Sequence, residues 1–415
     1  MFGWKVARVA PIFSCFHPRI FIFRSLLTAD RYKNMKFIGH SLFNNTPIEI
    51  VLANDRVQSI QEVNAADSTI QIAPAPIDIQ VNGFAGFDLN VATVTPEDVC
   101  AMVRALWRVG TGFLCPTVVT ASFDAIRNSL RAIVDACKTD ALIAHAVLGI
   151  HLEGPYISAE DGPRGAHPLE HVREPDWDEF RQWQDIAEGK ISIVTLAPEK
   201  KHAIPFIEKL VSEGIVVALG HTNASADDIQ AAIDAGAKLS THLGNGAHAR
   251  IRRHPNYIWE QLGADDLWAS LIVDGHHLPP SVAKSMMRAK TLDRCILVSD
   301  AVALAGMKPG IYQFAGKSVE LTEERCVRLV GTEYLAGSAI ELARGIENSV
   351  RFAGISLKEA VSLATLQPMH LLNAKAHVET ETNLILFEWD AALCAINLIA
   401  TIVGGELVYH AETPQ

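Results

Sequence analysis

Three short phrases each place a metal-capable side chain where an apolar, strand-like run stops. HLEGP at 151–155 supplies Glu153, GHTNA at 220–224 supplies His221, and THLGNG at 241–246 supplies His242. A fourth run, CILVSDA at 295–301, ends on Asp300. One carboxylate and two imidazoles match the donor set of a catalytic zinc site, which takes three protein ligands and keeps a position for water. The separations along the chain are long, so it is placement at strand ends, not spacing, that groups these residues. A charged side chain closing an apolar strand is costly unless it is paired or used. Asp300 therefore reads as a general base that takes the water's proton and delivers it to a leaving nitrogen. A metal ligand, or a carboxylate that orients a ligand histidine, are its other open roles.

The elements that must position these groups alternate. VLGIHLE (147–153), ISIVTLAP (191–198), IVVALGH (215–221), AKLSTH (237–242), LWASLIVDG (267–275) and CILVSD (295–300) read as strands. HAIPFIEKLVSEG (202–214), SADDIQAAIDAG (225–236) and PSVAKSMMRAK (280–290) read as the helices between them. Ser225 is an N-cap and Gly236 a stop, Thr95-Pro96 opens an earlier helix, and Ser356 with Glu359 forms a capping box. Repeated βα units predict an α/β chain with a (β/α)8, TIM-like barrel. The barrel is preferred to an open doubly wound sheet because loaded residues close many separate strands, and a barrel brings all those ends to one mouth. Short alternating strands at 35–73 and 379–415 predict a small discontinuous β-sandwich domain formed by both termini, around a catalytic barrel at 74–378. Residues 1–34 are rich in Phe, Ile and Arg. They read as an extension ahead of a natural first strand at Met35, with a secretory or transit segment as the other readings.

The 415 residues carry a formal net charge of −11. That argues against general affinity for nucleic acid or anionic membrane surfaces, and no apolar run is long enough to span a bilayer. Seven dispersed cysteines without a CxxC pair predict reduced thiols in a cytoplasmic protein, not a thiolate zinc cluster.

Read in order, these phrases resemble the amidohydrolase superfamily, and within it the N-acetylglucosamine-6-phosphate deacetylases. The resemblance runs through APIDIQVNGFAGFDLN (75–90), TGFLCPT (111–117), HLEGPYIS (151–158), GAHP (165–168), GHTNA, THLGNG, IVDGHHL (272–278), LVSDAVALAGM (297–307) and LAGS (335–338). It implies hydrolysis of the acetamide on an amino-sugar phosphate, with Glu153, His221 and His242 holding the metal and Asp300 as acid/base. It also implies that His277 polarises the acetyl carbonyl or contacts the substrate, and that His167 contacts the sugar. Asn245 with Gly246 and Arg253 would bind the phosphate end, and a homodimer is implied because phosphate ligands can cross subunits.

The superfamily often carries HxH at the end of its first barrel strand, which supports a second metal. Here that place holds Gln80 and Asn82, whose neutral amides are poor zinc ligands. Period 2 still turns both to one face, where they line the pocket. One divalent ion per chain, zinc first among several metals, is therefore expected. The loop NGAHARIRRHPNYIWEQL (245–262) departs from the NAM-like phrase of the resembling family and adds Arg250 and Arg252 beside Arg253, any of which could fork onto a phosphate. Two other readings stand beside the deacetylase: an amidohydrolase acting on a cyclic amide or another N-acyl substrate, which would usually show HxH, and a non-enzymatic carbohydrate-binding relative, which would have lost a ligand or Asp300.

Overall fold

The computed structural model describes residues 34–64, 67–314, 316–332, 335–374 and 382–411. The extension assigned to residues 1–34 lies outside them, apart from Asn34. Eight strands, Ile77–Val81, Phe113–Val119, Ile150–Glu153, Ile191–Leu196, Val216–Leu219, Leu239–Ser240, Trp268–Leu271 and Cys295–Leu297, lie side by side in chain order. Every neighbouring pair is parallel. The first and last strands meet through short bonds at their C-terminal ends: Asp300 N to the Gln80 carbonyl at 2.9 Å and Asn82 N to the Ala301 carbonyl at 2.8 Å. The sheet thus closes into the expected TIM-like barrel, and the seam lies at the end that carries the loaded residues.

Local sequence explains the surrounding helices. Thr95, Ser225 and Ser356 each accept a bond from the backbone three residues on, while Asp98, Asp228 and Glu359 reach back, completing three capping boxes. Helix Phe123–Thr139 buries Ile126, Leu130 and Ile133, a stripe at helical spacing, among the residues of the main apolar core.

The terminal strands do not form a sandwich. Met35–Ser41, Pro47–Ala53, Arg56–Glu62, Glu406–His410, Ala395–Val403, Leu384–Asp390 and Gln71–Pro74 close into a single ring. The reason is the short strand Gln71–Pro74, which pairs in parallel with the first strand through His40↔Gln71 and antiparallel with Leu384–Asp390. It leaves no free edge on which two facing sheets could end. Alternating inward residues, Phe37, Ile50, Leu52, Ile72, Leu386, Ala400 and Ile402, fill this ring. A four-stranded antiparallel sheet, Gly310–Phe314, Lys317–Leu321, Cys326–Leu329 and Leu335–Ser338, follows the eighth barrel strand and was not anticipated.

Gly220 shows how tightly the barrel mouth is packed. A Cβ there would meet Thr241 Cβ at 2.7 Å and a Thr195 methyl at 3.0 Å, both on buried strand-end residues. Gly220→Ala is expected to destabilise the protein by about 1–3 kcal/mol, measured by denaturant unfolding. A midpoint unchanged from the parent would show that the mouth has slack.

Candidate metal and active site

The barrel gathers Glu153, His221 and His242 at its mouth. Glu153 Oε1 lies 3.0 Å from His221 Nε2 and 3.0 Å from His242 Nε2, and the two imidazole nitrogens are themselves 3.0 Å apart. All three side chains are buried, and they form a set of possible ligands lying within 4.8 Å of one another. Ligand bonds of about 2.0–2.2 Å to a tetrahedral zinc put donors about 3.3 Å apart, so the donor set and its spacing fit a divalent ion. The ring of His221 is already oriented to coordinate. Its Nδ1 lies 2.8 Å from the Pro163 carbonyl, to which it donates, leaving the Nε2 lone pair facing the cluster. Gly246 packs its backbone on the same ring, where a Cβ would meet Nδ1 at 2.7 Å.

Electrostatics keep the cluster anionic at Glu153. Burial pushes its carboxyl up, but bonds from His221 and His242 outweigh this and hold it well below the usual carboxylate range. Gln80 adds an amide N–H to Glu153 Oε1 at 3.0 Å. Asp300 behaves differently: burial first, and then the charge of Glu153, raise its carboxyl to about 6, against opposing pulls from His242, His277 and the Asn82 bond. Asn82 Nδ2 donates to Asp300 Oδ1 at 2.7 Å. Asn82 Oδ1 is buried without a hydrogen-bond partner among the described residues.

The backbone reaches these positions at a cost. His221, His242 and Asp300 have φ of +51°, +30° and +47°, the left-handed region that non-glycine residues seldom occupy. In each case the residue lies just beyond a strand and breaks its extended course. Such outliers persist where surrounding structure over-determines them, and they concentrate at functional sites.

His167 is drawn into the cluster. Its Nε2 lies 3.3 Å from His221 Nε2, and burial followed by the charge of His221 depresses its pKa to about 3, which keeps it neutral. His277 is bonded through Nδ1 to Asp274 Oδ2 at 2.6 Å. Asn245 stays close to His242, its Nδ2 donating to the His242 carbonyl at 3.3 Å. Arg253 is not joined to the cluster by any bond among the described residues. Arg250, Arg252 and Arg253 all lie exposed on one loop, and Asn256 Nδ2 ties that loop down through the carbonyls of Arg252 and Arg253.

Sequence reasoning missed the buried support. His151 lies two residues before Glu153, on the same face of the strand, with Nδ1 at 3.0 Å from the Ile79 carbonyl and Nε2 at 2.7 Å from Thr195 Oγ1. Burial lowers it to about 4, so it is a neutral packing group. Asp274 was also missed, although it sits three residues before His277 within IVDGHHL.

Residues 72–408 match the family described as "Amidohydrolase family". The chain belongs to the amidohydrolase family. Among curated proteins, this amidohydrolase is 35% identical over 301 residues to an N-acetylgalactosamine-6-phosphate deacetylase of Escherichia coli O157:H7, covering 72% of this chain and 78% of the relative. It is 33% identical over 357 residues to the N-acetylglucosamine-6-phosphate deacetylase of Bacillus subtilis (strain 168), covering 84% and 87%. Among solved structures, the N-acetyl-D-glucosamine-6-phosphate deacetylase of Mycobacterium smegmatis superposes with a TM-score of 0.78 at 27% identity, covering 90% of this chain and 100% of that one.

Removing the shared carboxylate should empty the site. Glu153→Ala is expected to lower the divalent metal found per chain at least tenfold, because outer as well as direct contacts to a metal commonly carry 10–100-fold in affinity. Metal analysis after gel filtration checks this, and a full metal complement in the variant would remove Glu153 from the ligand set.

Proposed function

We propose that this amidohydrolase removes the acetyl group from N-acetyl-D-glucosamine 6-phosphate, giving D-glucosamine 6-phosphate and acetate. The observation that carries the reading is the convergence of Glu153, His221 and His242 on one point of the barrel mouth, in a chain whose curated relatives are sugar-phosphate deacetylases. These three residues hold one divalent ion, zinc by the chemistry of two imidazoles and a carboxylate. When bound, the ion lowers the pKa of a water and polarises the acetyl carbonyl.

Asp300 takes the water's proton and returns it to the departing amine. Asn82 occupies Asp300 Oδ1, so proton exchange falls to Oδ2. His277 faces the acetamide and accepts its N–H, which holds the acyl group against the ion. His167, Gln80 and Asn82 line the sugar side, Asn245 and Gly246 the floor near His242, and Arg253 meets the phosphate. We place the enzyme in the cytoplasm as a homodimer. Among the described residues no helix is long and apolar enough to cross a membrane. The galactosamine epimer is the second reading, supported by the 35% identical relative. The amides at Gln80 and Asn82, in place of imidazoles, count against a two-metal reaction on a cyclic amide.

Acetate release across N-acetylated hexosamines, with and without the 6-phosphate, tests the substrate. The expected result is turnover of the glucosamine phosphate ahead of its epimers, and no acetate from any of them would end the proposal. Asp300→Asn is expected to keep its metal and lose about 10²–10⁴ in kcat, the usual worth of a positioned acid/base. Retained turnover would relieve Asp300 of that role. Activity requires the Asp300 carboxylate, so it falls as pH drops through that group's pKa. Glu153's charge helps hold the carboxyl at about 6, and a cation on Glu153 offsets that charge, so the acid limb of kcat/KM should lie below pH 6, as a pH–rate profile would read. Arg253→Ala should raise KM for the phosphorylated sugar more than for the free one; equal effects would place the phosphate elsewhere.

A further inference from the structure

We propose that Asp274 is a positioning residue that fixes the tautomer and aim of His277, so that Nε2 of the ring faces the reacting acyl group. The inference rests on the functional reading of His277 given above. Asp274 lies early in the loop that follows strand Trp268–Leu271, and its side chain is only 2% exposed. Its two carboxylate oxygens do different things. Oδ1 accepts the backbone N–H of His276 at 2.8 Å and of His277 at 2.7 Å, which folds the loop. Oδ2 accepts from His277 Nδ1 at 2.6 Å.

These contacts keep Asp274 ionised. Burial raises its carboxyl, but the bonds from His277 and the two amides hold it below the ordinary carboxylate value. An ionised carboxylate cannot donate, so the proton in the short bond belongs to Nδ1 of His277. Nε2 is then the nitrogen left for the substrate, and its lone pair accepts the acetamide N–H, which the reversed tautomer would meet with a second N–H. A carboxylate behind an imidazole is a general means of holding the ring in one tautomer and orientation. The loop is also braced from outside the barrel: His276 Nε2 lies 3.0 Å from the Glu324 carbonyl, in the turn between strands Lys317–Leu321 and Cys326–Leu329 of the inserted sheet. Neighbouring histidines thus grip opposite sides, His276 the inserted sheet and His277 the site.

The division of labour between the two oxygens supplies a clean test. In Asp274→Asn the two backbone donors keep the side-chain oxygen on their side. Only the atom facing His277 changes, from an acceptor to an N–H donor. The loop stays folded while the tautomer reverses. The expected result is a fall in kcat of about 10²–10⁴-fold, the scale of a wrong tautomer. KM for the sugar phosphate should stay within about threefold, with unchanged metal content and melting temperature. In a His277→Ala background the same substitution should cost nothing further. Nitrogen-15 NMR of the metal-loaded enzyme should show the His277 proton on Nδ1 in the parent and on Nε2 in Asp274→Asn.

An Asp274→Asn enzyme within a few-fold of the parent in kcat, or losses that multiply in the double variant, would overturn the proposal. So would an Nε2 proton on His277 in the parent, a result that stands even if the variant fails to fold. A parent Nδ1 proton together with normal turnover in His277→Ala would instead sink the functional reading of His277, leaving the pairing itself intact.

Discussion

A buried negative charge organises the whole mouth of this barrel. Glu153 is 3% exposed, and removing a carboxylate from water costs several kcal/mol unless partners restore its solvation. Its partners come from far apart in the chain: Gln80 from the first barrel strand, His221 beyond the fifth and His242 beyond the sixth. No local structure could assemble them. A closed ring of parallel strands can, because it aims all the C-terminal ends at one axis. The left-handed backbones at His221 and His242 are the local adjustment that brings their ring nitrogens to a common point.

Closure of the ring and placement of Asp300 are one event. Asp78, with no exposed surface, receives the amides of Gln80 and Ser299 on Oδ1, each at 3.2 Å, so it clasps the first strand to the last. The backbone bond from Asp300 to Gln80 lies one step further along the same seam. Burial raises Asp78 to about 7, and its other oxygen is without a partner among the described residues. The seam therefore carries a real desolvation cost. That cost is sustained because Asp300 and Asn82 must meet at its upper end, bonded at 2.7 Å.

Much of this was legible in the chain, for identifiable reasons. Glu153, His221, His242 and Asp300 stand out because charged and imidazole groups ending apolar strands are expensive anywhere but at a site. Capped helices at Thr95, Ser225 and Ser356 are local chemistry and read directly. The ring at the termini was not legible, because its closure depends on four residues, Gln71–Pro74, pairing on both edges, and alternation alone does not distinguish a sandwich from a small barrel. The inserted sheet escaped because its strands are four or five residues long and half exposed. Asp274 escaped because DG reads as a turn; only geometry reveals that the second oxygen is spent on His277. Arg253 is the opposite case, singled out in the sequence by its charge yet lying exposed on a loop that three arginines share.

The proposed single ion follows from the hydrogen atoms of two amides. Where a two-metal relative would present lone pairs from HxH, Gln80 and Asn82 turn N–H groups toward Glu153 and Asp300. Their reverse orientation would set carbonyl oxygens against carboxylate oxygens at 3.0 and 2.7 Å, so the orientation of both amides follows from their partners. An N–H donor delivers a fixed partial positive charge at the place a second cation would need, and offers that cation no electron pair. It also stabilises each carboxylate without neutralising it. Glu153 keeps its charge for the proposed ion, and Asp300 keeps a second oxygen free for the proposed proton exchange. A second cation bound there would pull the Asp300 carboxyl toward lower pKa and make it harder to protonate. The amides thus do by hydrogen bonding what a metal would do by charge, and they leave the carboxylate beside the proposed ion able to titrate.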